Sequence, residues 1–460
     1  MKEYSTASKS SHFTVRVTLV GIGLKVQAMG ILCPMAERVK IAQKTIKYTP
    51  TEKLVDALVT ILSGAKGLVE ANKRVRPDRA IQCAFGRQGC AEQSVISDTL
   101  NACTVENVSQ MEEAFQMIHQ QHSVAYRHNY EAGLQVLDID MTGMPCGKKA
   151  AFASKGYFAK QRNRRGRQLG RVLATNYQEI VIDQLYDGKT QLAAAFQPLM
   201  SKAEAILGLD EAKRRRTLLR MDSHGGSQGD VNWALHRGYQ VHTKDYSGDR
   251  ARKLAASVQE WHHDPKVPGR QVAWVTSPAT EYLRPVRRIA VRSPKKNGQW
   301  GIGMIISTLT PQEASLLARM PCHRWQDPLS ILLAYVYCYD LRSGGVETQF
   351  KSDKQGLGIH KRNKKRFEAQ QMLTHLNALA HNLIIWARHW LAPTCKPLQR
   401  YGILRMVRDV FQVRGQVFFQ KDGRICRIQL DHADPLANGL CLALASLLEP
   451  LHVAVNLGQI

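Results

Sequence analysis

Three carboxylates stand in settings that suit divalent-metal chemistry. Asp140 closes the run Leu134-Gln135-Val136-Leu137-Asp138-Ile139, and Asp222 closes Thr217-Leu218-Leu219-Arg220-Met221. Each run reads as a β-strand, so each acid is expected at a strand's C-terminal end, where side chains leave a rigid scaffold and enter a crevice. Glu347 follows Gly344-Gly345 and is expected to open a helix. Hard oxygen donors of this kind hold Mg²⁺. Two such ions about 4 Å apart activate a nucleophile and stabilise a leaving oxygen in phosphodiester chemistry. Taken singly, each acid is as much at home as a strand-end cap or a surface side chain. Asp138 is the rival first ligand, since it lies two residues before Asp140 and on the same face of the strand. Asp140 is preferred because it borders a turn expected over residues 141–145.

The elements that must position these acids change character along the chain. Residues 1–130 read as helical and are expected to bind DNA. Thr49-Pro50-Thr51-Glu52 is a capping box with proline at the first helical position. Further helices are expected over about 91–102 and 105–126. The stretch Glu92-Gln93-Ser94-Val95-Ile96-Ser97 suits a recognition helix or, equally, a plain helical bundle. Strands are then expected at 169–175, 179–185, 217–222 and 239–244, with helices at 192–207 and 231–237. That alternation predicts an α/β sheet with helices on both faces. Strands at 271–276, 282–292 and 300–307 predict a β-rich insertion over 249–324. The predicted catalytic core comprises 131–248 and 325–395, and 396–460 is a separate C-terminal region.

The chain's 64 Lys and Arg against 38 Asp and Glu give a net charge of +26, which favours a polyanionic partner, DNA or RNA foremost. A composition 44% hydrophobic and 22% charged excludes a disordered chain, a collagen or a coiled-coil rod. The N-terminus has no signal pattern, no apolar run is long enough for a membrane helix, and the ten cysteines form no CxxC pair. A reduced, cytoplasmic chain without a zinc module is expected. Glu347, Lys351 and Lys354 fall at i, i+4 and i+7, one face of a helix. That face is read as a metal ligand beside two phosphate contacts, or as solvated ion pairs. The loop bearing Lys361, Arg362, Lys364, Lys365 and Arg366 is a second phosphate-contact candidate. The run Lys155, Lys160, Arg162, Arg164, Arg165, Arg167 and Arg171 is a third, or else a solvated loop.

Three segments carry a family resemblance: Leu137-Asp138-Ile139-Asp140-Met141-Thr142-Gly143, Leu219-Arg220-Met221-Asp222-Ser223-His224-Gly225-Gly226, and Tyr339 through Lys354, YDLRSGGVETQFKSDK. Over roughly residues 130–390 the chain resembles a DDE transposase of a bacterial insertion sequence, in the group with a β-rich insertion and a Tyr-Arg-Glu-Lys signature. Tyr339 and Arg342 keep the signature's two-residue gap, and Glu347 and Lys354 its six. Four residues separate Arg342 from Glu347 where the signature has three, which puts the roles of Tyr339 and Arg342 in question. The resemblance implies a ribonuclease-H-like catalytic fold, with Asp140, Asp222 and Glu347 as catalytic and metal-binding residues for two Mg²⁺ or Mn²⁺ ions. It also implies Arg342 among the DNA-binding residues, cleavage at transposon ends followed by strand transfer into target DNA, and a homo-oligomer on DNA. In some relatives an aromatic residue of the insertion receives a flipped base. Trp300 is preferred here over Trp274, and strand packing is the alternative for both. Two other functions stay open: a catalytically silent DNA-binding descendant, and a nuclease that cuts without joining.

Overall fold

The computed structural model describes residues 10–460 apart from 157, 159, 160, 162, 223 and 224. The chain divides into two compact units. The first comprises Met1–Ser123, Pro145–Ala153 and Phe350–Ile460, and the second Val124–Met144 and Ser154–Gln349.

The first unit opens on strand β1 (Ser10–Thr14) and continues through short helices. The helix Pro50–Leu62 starts at the expected capping box: Thr49 Oγ1 accepts from the Glu52 amide, and the Glu52 carboxylate accepts from the Thr49 amide. The helix Phe367–Leu391 is buried on nearly every side, its apolar residues packing against Pro50–Leu62 and Val105–His122 and its buried polar ones, such as Asn377 and His381, taking hydrogen-bond partners.

The second unit is built on one mixed sheet. Its strands are β2 (Gln135–Pro145), β3 (Ser154–Lys155), β4 (Arg165–Ala174), β5 (Glu179–Asp187), β6 (Thr217–Met221), β7 (Gln240–Lys244), β8 (His262–His263), β9 (Gln271–Val275), β10 (Arg287–Pro294) and β11 (Trp300–Ser307). The spatial order is β4-β2-β6-β7-β11-β10-β9-β8, with β3 and β5 both paired to β4. β2, β6 and β7 run parallel, and β7 pairs antiparallel with β11. The alternation of side chains puts Leu137, Ile139, Leu219, Met221 and Val241 under the helices Leu192–Leu207 and Gln228–His236. Val136, Leu218 and Ile305 face the helices Pro311–Leu317 and Pro328–Arg342.

Two expectations change. Residues 141–145 are strand rather than turn: β6 stops at Met221, but β4 is ten residues long and keeps β2 paired beyond it, with Met144 against Gly166. Segment 249–324 holds β8, β9, β10 and β11, and these strands extend the main sheet because β11 docks on β7. The basic run 155–171 is not a single solvated loop. From Arg165 it is β4, where Arg167 and Arg171 are buried and Arg171 makes a bidentate pair with Asp183 on β5 (both contacts 2.7 Å). Lys160 and Arg162 lie outside the described residues.

The last three strands, β12 (Gly415–Phe419), β13 (Ile425–Asp431) and β14 (Ala454–Gly458), return to the first unit and form a sheet in the order β1-β12-β13-β14.

Candidate active site

The register of β2, β6 and β7 defines two rows of side chains on the face that carries the helix Pro328–Arg342. The lower row is Asp138, Arg220 and His242, paired directly across the three strands. It is closed chemistry. Arg220 Nε and Nη2 donate to the two Asp138 carboxylate oxygens at 2.7 and 2.9 Å, Arg220 Nη1 donates to the Cys338 carbonyl at 2.9 Å, and Thr175 donates to Asp138 at 2.6 Å. Asp138 is fully buried. A carboxylate with its lone pairs occupied in this way is a structural anchor.

The upper row lies one alternation further on. Ile139, Met221 and Thr243 are the last residues in register, so Asp140 and Asp222 come next on neighbouring parallel strands and lie side by side at the sheet's C-terminal edge. Asp140 Oδ1 accepts from the Met141 amide at 2.7 Å, and Oδ2 lies 3.0 Å from Arg342 Nη2. Burial pushes the Asp140 carboxyl up to about 6, against the pull of Arg342, and the nearby charges of Asp222 and Glu347 add to the rise.

Glu347 reaches the same place by an irregular route. Between the helices Pro328–Arg342 and Thr348–Gly356 the chain makes a π-type turn, Ser343–Glu347, in which Gly345 has φ −86° and ψ −114°. A Cβ at Gly345 would overlap Asp138 Oδ2, so the anchored lower row shapes the kink. The kink at Gly345 interrupts the helical path between Arg342 and Glu347, and it accommodates the long gap between them. Arg342 and Glu347 still meet, with Nη1 donating to Oε1 at 2.9 Å. Arg342 is buried and bridges Asp140 and Glu347, so its guanidinium is directed at the carboxylates rather than outward to DNA.

The other candidates separate by burial. Lys351 is exposed and Lys354 half-buried; both belong to the first unit, whereas Glu347 belongs to the second. In the basic loop Lys361 and Lys365 are exposed. Arg362 is not a phosphate contact: it is buried, it donates to the Ala65 carbonyl and to Asn377 Oδ1, and burial lowers its pKa to about 10. Lys364 donates to Ser97 Oγ at 2.6 Å, and Arg366 caps the helix Gln93–Ala102 through the Asn101 and Cys103 carbonyls at 2.6 and 3.1 Å. That helix buries Ile96 and Leu100 and carries no basic side chain, which disfavours it as a recognition helix. Arg164 and Arg165 are exposed at the start of β4. Trp300 is 42% exposed and stacks on Arg292 at 4.6 Å, whereas Trp274 packs edge-on against Tyr335 in the core.

Two functional-looking residues escaped the sequence reading. Arg220 looked like an ordinary strand residue, although an arginine inside an apolar run is itself a sign of a buried carboxylate partner. Lys244 ends a strand whose neighbours gave no reason to single it out.

Asp140, Asp222 and Glu347 supply the hard oxygen donors that divalent ions of the Mg²⁺ class require. Among the described residues no group of three acids, histidines or cysteines is already arranged as a metal cage. The carboxylates Asp140 and Glu347 are gathered on Arg342 instead. The donor set fits such ions in its chemistry.

The α/β sheet thus carries a pair of aspartates at its C-terminal edge, with a glutamate in the turn that precedes a following helix. The chain matches the family model of the transposase DDE domain over residues 131–383, more than half its length, and it belongs to that family. Its mixed sheet is consistent with a ribonuclease-H-like transposase core. No curated protein sequence matches the chain significantly. Among solved structures it is similar to a piggyBac transposase in a synaptic complex with hairpin DNA, at 12% identity and a TM-score of 0.48, over 84% of this chain and 80% of that one. No helix among the described residues is long and apolar enough to cross a membrane.

Proposed function

We propose that this protein is a metal-dependent DNA transposase of a bacterial insertion sequence, built on a ribonuclease-H-like core, that cuts the element's ends and joins them to target DNA. One observation carries the reading: Asp140 and Asp222 each follow the last paired residue of two neighbouring parallel strands, and Arg342 ties Glu347 to Asp140. Asp140, Asp222 and Glu347 would hold two Mg²⁺ or Mn²⁺ ions. When bound, such ions lower the cost of generating an oxygen nucleophile and of charge on the leaving oxygen. Arg342 orients the carboxylates, and the Arg-Glu pair retains the sense of a Tyr-Arg-Glu-Lys signature despite its added residue. Cleavage exchanges one P–O bond for another and leaves a 3′ hydroxyl. In strand transfer that hydroxyl attacks a target phosphodiester, so neither step calls for a redox partner.

The net charge of +26 and the exposed cations Arg164, Arg165, Lys351, Lys361 and Lys365, with half-buried Lys354, fit contacts to DNA phosphates. Trp300, exposed at the head of β11, is the candidate for stacking on an unpaired base. A homo-oligomer would bring two ends together. The test is Asp222→Asn on a plasmid carrying the gene with its native flanking DNA. This change keeps the side chain's shape and removes the charge that metal binding needs. Metal-dependent cleavage should disappear while DNA binding persists. Near-normal cleavage by the variant would remove Asp222 from the site. Cut but never joined products would favour a nuclease, and a wild-type protein that binds without cutting would favour a silent descendant.

A further inference from the structure

The upper row has a third member. Thr243 is in register with Met221, so the next residue of β7, Lys244, follows Asp140 and Asp222 in line across the three parallel strands and on the same face. It is partly buried, and its ammonium lies 4.8 Å from the centre of the Tyr339 ring. That ring belongs to the helix that carries Arg342, so the contact directs Lys244 along the sheet edge rather than into solvent. Its charged surroundings are Asp340, Arg342, Asp222 and Glu347. Among the described residues its ammonium makes no hydrogen bond and no ion pair. The other buried cations of this face are occupied: Arg220 by Asp138 and the Cys338 carbonyl, Arg342 by Asp140 and Glu347.

A lysine held by an aromatic face beside carboxylates, with its three donors unspent, is a receptor for an anion. We propose that Lys244 is a catalytic residue that contacts a non-bridging oxygen of the scissile DNA phosphate. It stabilises the charge that gathers there during attack. The carboxylate end of the row serves divalent ions and the lysine end serves the phosphate, so one strand register sets the spacing of both. The proposal rests on the transposase reading above.

The experiment compares wild type, Lys244→Met and Lys244→Arg. The probes are the plasmid with the gene's flanking DNA and a duplex of that same DNA for binding, with Mg²⁺ or Mn²⁺ and with thermal unfolding measured in parallel. Loss of one preorganised charge contact should lower single-turnover cleavage by Lys244→Met about 100-fold. Binding should stay within about threefold, because the remaining phosphate contacts are unchanged. Lys244→Arg, which keeps a cation in place, should recover most of the rate. Cleavage by Lys244→Met near the wild-type rate would overturn the assignment. So would a rate fully restored by saturating DNA, which marks a binding contact only, or equal loss in both variants together with a lowered unfolding temperature. If wild type itself fails to cut, the transposase reading falls and the proposal with it; if wild type cuts and Lys244→Met cuts equally well, only the proposal falls.

Discussion

Gly345→Ala adds one methyl group at the point where the anchored row meets the helix kink. The new Cβ would overlap Asp138 Oδ2 and come within 3.3 Å of the Thr175 methyl. Asp138 cannot swing aside cheaply, because Arg220 holds both of its oxygens and Thr175 donates to one of them. Breaking that buried pair would cost about 3–5 kcal/mol. The other relief is a shift of the turn's backbone. Reshaping the turn costs about 1–3 kcal/mol, so it is the route the chain should take. The turn carries Arg342 and Glu347 at its two ends, and a shift of about 1 Å in a reacting group lowers rates by about 100-fold. We therefore expect a modest fall in the urea midpoint of unfolding, followed by circular dichroism, together with a cleavage defect far larger than that fall explains. Wild-type values for both midpoint and cleavage rate would refute the wedge between Gly345 and Asp138. A collapse of stability with full residual activity in the folded fraction would refute the coupling to Glu347.

Two further outcomes follow from the same structure. Arg362→Ala should destabilise the protein by about 2–4 kcal/mol, through a cavity and two acceptors left unpaired, while the salt dependence of DNA binding stays as in wild type; a shallower salt slope without loss of stability would instead make Arg362 a phosphate contact. His242 is fully buried, with Nε2 donating to the Tyr335 carbonyl and Nδ1 accepting from Ser307, and burial lowers its pKa to about 3 with Arg220 assisting. The unfolded state therefore binds a proton that the folded state refuses. This group's contribution is complete above about pH 6.5 and is lost on acidification at up to about 1.4 kcal/mol per pH unit. The wild type minus His242→Gln difference in unfolding free energy should shrink as pH falls from 7 to 4, and a pH-independent difference would contradict the assignment.

The sequence was informative where the signal is local. The helix Leu192–Leu207 and the strand Trp300–Ser307 were legible to the residue, the first from its apolar periodicity and the second from the Asn297-Gly298 turn before it. Asp140 and Asp222 drew notice because an acid ending an apolar run is conspicuous. What stayed hidden depends on partners far apart in the chain. The Asp138–Arg220 pair spans a parallel strand pairing, and nothing near either residue announces the other. The burial of Arg362 depends on the carbonyl of Ala65, and its five-residue basic neighbourhood suggested solvent instead. The continuity of the sheet through β11 was invisible because periodicity identifies strands but not their neighbours.

β7 and β11 meet over three residue pairs, Lys244↔Ile305, Thr243↔Ile306 and His242↔Ser307. The chain thus leaves β7 just past Lys244, adds β8, β9 and β10 to the sheet's outer side, and returns through β11 beside its point of departure, one strand spacing of about 4.8 Å away. A segment whose two ends lie so close together can lengthen, shorten or be replaced at small loop-closure cost. Asp140, Asp222 and Lys244 all sit on the departure side of that junction. Evolution can therefore vary the loops and turns between β7 and β11, and with them whatever surface they present, without moving the charged row by a single register step.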